Sequence, residues 1–340
     1  MSKIVTFGEI MLRLAPEGYG RIVQSNKFNA TFAGAEANVA VSLANFGEEV
    51  SFVSKIPENS VGQACVNSLR QYGVNISDIV RDGERLGLFY LEKGASQRSS
   101  VVIYDRKYSA IQLATREDFD WDRIFNDAQW FHFTGITPAL SDELAEICEI
   151  ACKVAKSKGI KISCDLNYRN KLWSKEKAKA VMTRLCEYVD VCIANEEDAN
   201  DVFGITDAGS DAGAGKLDVE GYKGVAKQLY EEFNFSHVAF TLRTSISAND
   251  NKWAGMIYDG NDCYFSDEYL IHIVDRVGGG DSFCAALIYS FINGFDMQKA
   301  VDFAAAASCL KHTVEGDYNL ITVDEVLRLV NGDKTGRVKR

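Results

Sequence analysis

Apolar residues in this chain gather in short runs, separated by longer stretches in which they recur every three or four positions. The runs KIVTFGEIML (3–12), VSFVSKI (50–56), WFHFTGI (130–136), KISCDLNY (161–168), VDVCIAN (189–195) and HVAFTLR (237–243) each read as a buried strand. Helical periodicity marks AEANVAVSLANFG (35–47), SDELAEICEIACKVAKSKG (141–159) and KEKAKAVMTRLCEYV (175–189). Strand–helix alternation over most of the length predicts an α/β fold, doubly wound around a mostly parallel sheet. Two regions break the rhythm. Residues about 13–33 and about 86–113 read as antiparallel hairpins, polar on one face, that project from the main domain as a lid or a dimer surface. One domain over 1–330 with these two insertions, followed by a disordered tail at 331–340, is the expected organisation. Residues 206–221, rich in Gly and Asp, read as a surface loop.

Composition narrows the function classes. Apolar residues make up 46% of the 340 and charged residues 25%, which leaves ample core. A net charge of −11 disfavours non-specific binding to nucleic acid or anionic membrane. Any anionic ligand therefore needs a local basic pocket. The nine cysteines include no C-x-x-C pair, and with four scattered histidines a zinc site is not expected. No signal segment or membrane-spanning run is evident, so a cytoplasmic protein with reduced cysteines is expected.

The candidate chemistry lies in DRVGGGDSFCAALIYSFINGF (275–295). Phe283, Ala286, Leu287, Ser290 and Phe291 recur at helical spacing, which predicts a helix beginning near Asp281. Gly278, Gly279 and Gly280 then stand at its first turn. Glycine weakens a helix, so local stability does not ask for three of them. Their backbone can turn tightly and present bare N–H groups at the positive end of the helix dipole, which makes an anion site. An aspartate beside such a site repels what the amides attract, unless it handles a proton. The alternative is an ordinary glycine turn with Asp281 as N-cap. Two other phosphate motifs fail: G-x-G-x-x-G meets Phe283 at its last position, and the one Gly-Lys pair, Gly215-Lys216, is followed by Leu217.

DRVGGGDSFCAAL resembles the second signature of the ribokinase-like (PfkB) carbohydrate kinases, and AGAEANVAVSLANFG resembles their N-terminal sugar-binding signature. Within that family, FGEIMLRLAPEG, YDRKYSAIQLA, FTGITPALS, DLNYRNKLW and GDYN are similar to the 2-keto-3-deoxygluconate kinases. The resemblance covers nearly the whole chain. It implies that Asp281 is the base that takes the proton of the acceptor hydroxyl. Gly278, Gly279 and Gly280 would form the anion hole for the transferring phosphoryl group. Gly34 and Asn38 would bind sugar, although the preceding glycine of the usual pair is Ala33 here. Asn195 would bind cofactor, and Asp198, in place of the family's Glu, would act on magnesium through water. Thr241 and Arg243 would reach the ATP phosphates from TLRTSI (241–246), where the family carries a glycine-containing loop.

The resemblance also implies the substrate. An aldonic acid needs a cation for its carboxylate, and arginine offers a bidentate fork. Tyr104, Arg106 and Arg169 match the residues that hold the keto-acid end in the subfamily, and Phe89 or Tyr90 supplies an aromatic contact to the sugar. Read singly, each arginine is equally a surface ion pair with a neighbouring aspartate. The expected reaction is ATP- and magnesium-dependent phosphorylation of the terminal hydroxyl of a 2-keto-3-deoxy sugar acid, with a monovalent cation as an open additional requirement. A neutral-sugar kinase such as a fructokinase, and a non-catalytic sugar- or nucleotide-binding module, are the alternatives. A homodimer formed through the lid is expected.

Overall fold

The computed structural model describes residues 3–195, 197–206 and 219–337. Most of the expected loop at 206–221, and the last three residues of the expected tail, lie outside the described residues. The first half of the chain runs β1 (Lys3–Phe7), β2 (Met11–Ala15), β3 (Asn29–Ala33), α1 (Ala35–Asn45), β4 (Val50–Ile56), α2 (Ser60–Arg70), β5 (Ile79–Arg81), β6 (Leu88–Glu92) and β7 (Val101–Asp105). Next come α3 (Trp121–Ile124), β8 (Ala128–Thr134), α4 (Ile136–Ala139), α5 (Asp142–Ser157), β9 (Lys161–Asp165), α6 (Lys175–Cys186), β10 (Val191–Ala194) and α7 (Asp198–Phe203). The remainder is α8 (Val219–Phe233), β11 (His237–Ser245), β12 (Asp250–Tyr258), β13 (Cys263–Phe265), β14 (Tyr269–His272), α9 (Gly279–Ile292), α10 (Met297–Lys311) and α11 (Val323–Val330).

The main sheet has the order β13-β12-β11-β10-β9-β8-β1-β4-β5, with β14 also on β12. From β11 to β5 every pairing is parallel, and β12 to β14 add an antiparallel edge. Helices cover both faces, so both sides of each strand are apolar. Val5, Phe7, Phe131 and Phe133 pack into one core, and Ile4, Trp130, Val191 and Ile193 into the other. This is why the strands read as unbroken apolar runs rather than alternating ones. The long helices begin where polar caps allow. Ser141 accepts from the Leu144 amide at 3.1 Å, and Asp296 from the Lys299 amide at 2.8 Å. Among the described residues no helix is long and apolar enough to cross a membrane. All nine cysteines are free, and eight are buried.

Three expectations about the elements are corrected. The run 3–12 is two strands in two sheets. At Gly8 the backbone presses so closely on Glu36 that a Cβ would lie 2.1 Å from its carboxyl, and the chain then leaves the main sheet for the lid. The lid therefore starts at Met11, and its order is β3-β2-β6-β7. Each hairpin is antiparallel as expected, while the two hairpins join through a parallel β2–β6 pairing. The lid's outer face is also not polar. Register places Leu14, Tyr90 and Ile103 side by side on the surface turned away from the body, with Val101 next along β7. Val101 and Ile103 are exposed. Within the tail, 331–337 are exposed, but Lys334 pairs with Asp267 at 2.9 Å.

Candidate active site

Successive strands are added in one direction from β1 and in the opposite direction from β8, and at this switch a cleft of about 420 Å³ opens at the carboxyl ends of the parallel strands. The lid covers it with the inner residues Met11, Phe89, Val102 and Tyr104, and the first turn of α9 forms another wall. Most of the expected site residues line this one cleft: Gly34, Asn38, Phe89, Tyr104, Arg106, Arg169, Asn195, Asp198, Thr241, Arg243, Gly278, Gly279, Gly280 and Asp281. Tyr90 does not. Strand parity turns it outward, where its ring meets Phe28 at 6.1 Å, while Phe89 faces in against Tyr104 at 5.9 Å.

The helix begins at Gly279, two residues before Asp281, and its N-cap is Gly278. Asp281 is therefore inside the first turn and caps nothing. The three glycines have three different reasons. Gly278 has φ +78°, and a Cβ there would stand 2.0 Å from the Asp317 carbonyl oxygen. Both the left-handed backbone and the close approach require glycine. At Gly279 a Cβ would meet the His312 ring at 2.3 Å. At Gly280 a Cβ would touch nothing within 4 Å. The protein has no steric use for that glycine, so the space belongs to whatever occupies the cleft. The first-turn amides have no partner inside the helix and can receive an anion.

Asp281 Oδ2 accepts from Asn38 Nδ2 at 2.6 Å. Asn38 is buried in the first turn of α1, and its Oδ1 accepts from the Gly34 amide at 3.4 Å. Gly34 is itself required, because a Cβ would fall 1.9 Å from the Glu9 carbonyl oxygen. Burial pushes the Asp281 carboxyl up to about 6 and Asp317 adds to the rise, while Asn38, Arg169 and Lys311 oppose it. A carboxyl at that value can hold a proton or release it near neutrality.

The arginines divide. Arg106 is paired with the buried Glu9 at 2.9 Å and lies over the Tyr104 ring at 4.8 Å. Its Nε has no partner among the described residues. Arg169 is exposed, donates to the Tyr168 carbonyl at 3.0 Å, and makes no ion pair among the described residues. At the carboxyl ends of β9 and β10 the groups are acidic. Asp198 accepts from the amides of Tyr168 (3.0 Å) and Asn195 (3.2 Å), and Asn195 Oδ1 accepts from those of Glu197 and Asp198. Asp165 is pushed well up by burial, with Asp198 and Asp281 adding to the rise. Among the described residues no three such groups come close enough to hold a metal directly; Glu196 lies outside them. TLRTSI is not a loop: the β11–β12 ladder runs on through Ser245. Thr241 and Arg243 reach the cleft from that strand.

A protein-family model for "pfkB family carbohydrate kinase" matches residues 1–323. The chain belongs to the pfkB family of carbohydrate kinases. The kinase is 52% identical to the crystal structure of 2-dehydro-3-deoxygluconokinase from Thermotoga maritima, with a TM-score of 0.94 over 97% of this chain and 98% of that one. It is 33% identical to 2-dehydro-3-deoxygalactonokinase of Haloferax volcanii, over 98% of each. It is 28% identical to 2-dehydro-3-deoxygluconokinase of Bacillus subtilis, over 99% of this chain and 98% of that one.

Four cleft residues of the kinase were not legible as such. Glu9 sits in a run that reads as strand, yet it anchors Arg106 and accepts from Ser109 Oγ at 2.8 Å. Asp165 and Asn167 lie within DLNYRN, but their side chains alone give no signal. Arg276 lines the cleft, and its pKa is lowered by burial and then by Arg243, so two guanidiniums crowd where an anion would relieve them. His132, expected to be a satisfied buried histidine, is half so. Its Nδ1 meets Ser163 Oγ at 2.8 Å, while Nε2 has no partner among the described residues.

Proposed function

We propose that this kinase transfers the γ-phosphoryl group of ATP to the terminal hydroxyl of a 2-keto-3-deoxy sugar acid, taking 2-dehydro-3-deoxy-D-gluconate to its 6-phosphate. The observation that carries the reading is the make-up of one cleft. A carboxylate stands beside bare helix amides, and Arg169 has no carboxylate partner among the described residues. The names of the relatives in Thermotoga maritima and Bacillus subtilis support it. In this reading Asp281 takes the hydroxyl proton and the alkoxide oxygen bonds to the γ-phosphorus. The bond to the bridging oxygen breaks and ADP departs. The amides after Gly278 hold the charge on the transferring group. Asn38 positions Asp281. Arg169 holds the sugar carboxylate, with Tyr104 and the Glu9-bound Arg106 beside it and Phe89 as the apolar wall. Thr241, Arg243 and Arg276 face the nucleotide phosphates. The crowding of Asp165, Asp198 and Asp281 fits a divalent cation, and with no direct ligand set Asn195 and Asp198 would hold magnesium through water.

A coupled ADP-release assay tests this, comparing the gluconate- and galactonate-derived keto-acids with fructose and ribose. Preference for either keto-acid supports the reading, and equal turnover of fructose overturns it. The outward Leu14, Tyr90, Val101 and Ile103 support a homodimer through the lid.

The base assignment fixes a pH profile. Only the ionised carboxylate accepts a proton, so kcat/KM is expected to rise through pH about 6 and level off above. Asn38 lowers this pKa, so Asn38→Ala is expected to move the acid limb to higher pH. A limb that stays put in that variant assigns it to another group.

A further inference from the structure

Lys311, in the last turn of α10, is buried completely, at 0% exposure. Its Nζ donates to the main-chain carbonyls of Asp275 (3.3 Å) and Gly316 (2.6 Å). These carbonyls belong to the two strips of chain that form the anion hole. Asp275 stands just ahead of the glycines, and Gly316 precedes Asp317, whose carbonyl closes on Gly278. The nearby carboxylates are engaged elsewhere. Asp275 accepts from Arg13 at 2.7 Å and from the Gly316 amide at 3.2 Å, and Asp317 accepts from Arg13. The ammonium is thus left to the carbonyl oxygens. Burying a charge in this way is costly, and a leucine or methionine would fill the volume without it. Carbonyl oxygens that take the place of water around a small cation are the chemistry of a monovalent-ion site.

We propose that the Lys311 ammonium is the built-in monovalent cation of this active site. It holds the carbonyls of Asp275 and Gly316 together, keeps the amides after Gly278 in register, and makes phosphoryl transfer independent of added potassium or sodium. Lys311 is a positioning residue, since it acts through the backbone on both sides of the anion hole. The inference rests on the kinase activity and not on which sugar acid is accepted.

The test begins with the wild-type enzyme at fixed ionic strength in choline, sodium, potassium and ammonium chloride, assayed with its preferred substrate. Rates within about twofold across the series are expected; severalfold stimulation by any one cation overturns the proposal. Lys311→Met keeps the length of the side chain and fills the space. It is expected to lower kcat at least tenfold with little change in KM for the sugar, and to ignore cations. Near-normal turnover in this variant also overturns the proposal. Lys311→Ala leaves room for a small ion. Potassium, ammonium or methylammonium is expected to restore part of kcat and, independently of activity, to raise the melting temperature of this variant but not of wild type. No response to any of the three in either readout overturns it. Should the alanine variant fail to fold, the wild-type series still decides. Should no keto-acid be turned over, the proposed substrate fails, and the melting-temperature comparison still tests Lys311.

Discussion

Asp281→Asn is expected to lower kcat by about 10²–10⁴, the usual cost of losing a general base, with ATP binding little changed. The fold should not suffer. Asp281 is not the N-cap of α9, since that position is Gly278 in the left-handed conformation. The amide oxygen of an asparagine can still accept from Asn38. The sign of the stability change follows from the pKa. Burial raises Asp281 to about 6, so its neutral form is preferred in the folded protein. Any stability that this group contributes is present below the ordinary carboxylate range and is lost as pH rises through about 6. The asparagine variant lacks that loss, so its melting temperature should match wild type at pH 4–5 and equal or exceed it at pH 8. Turnover within a few-fold of wild type would leave the mechanism without its base.

Arg169→Met is expected to cost about 1.5–3 kcal/mol of transition-state binding, or roughly ten- to a hundredfold in kcat/KM for the keto-acid. Methionine keeps much of the bulk and removes the guanidinium. Neutral sugars should be poor substrates before and after the change. A second readout separates this role from a merely structural one. Arg169 opposes the rise of the Asp281 pKa, so the acid limb of the pH profile should move upward in the variant. Loss of keto-acid turnover with an equal loss for a neutral sugar would assign Arg169 to general support of the cleft. Arg106 is the weaker choice for this test, because removing it strands Glu9 in a buried position.

The sequence carried the layered fold because buried parallel strands and amphipathic helices leave different periods, and β4, β8 and α5 lie where those periods place them. It also carried the cleft residues that sit in signature-like segments. Three kinds of information were not there. Phe89 and Tyr90 lie in an apolar run, and only the register with β2 and β7 decides which faces inward. The run 3–12 is apolar throughout, so nothing local marks the change of sheet at Gly8; the mark is Glu36, far along the chain. The pairings of Arg106 with Glu9, and of Asn38 with Asp281, join residues distant in sequence whose contact exists only in the folded chain. Gly278, Gly279 and Gly280 also form one run in the sequence, whereas in the fold the Asp317 carbonyl, the His312 ring and open cleft space give each a separate cause.

The distance between the partners also sets an order of events. Asn38 and Asp281 are 243 positions apart, and Arg13 and Asp317 are 304 apart. As the ribosome delivers the chain from its N-terminus, the lid and the cleft residues Gly34 and Asn38 emerge long before the strip that completes the pocket. Parallel pairings of this range form slowly and leave apolar edges uncovered meanwhile. Ligand binding is therefore among the last properties this polypeptide acquires during synthesis, and a nascent chain stopped before residue 275 holds the lid over a cleft that still lacks its glycine wall and Asp281.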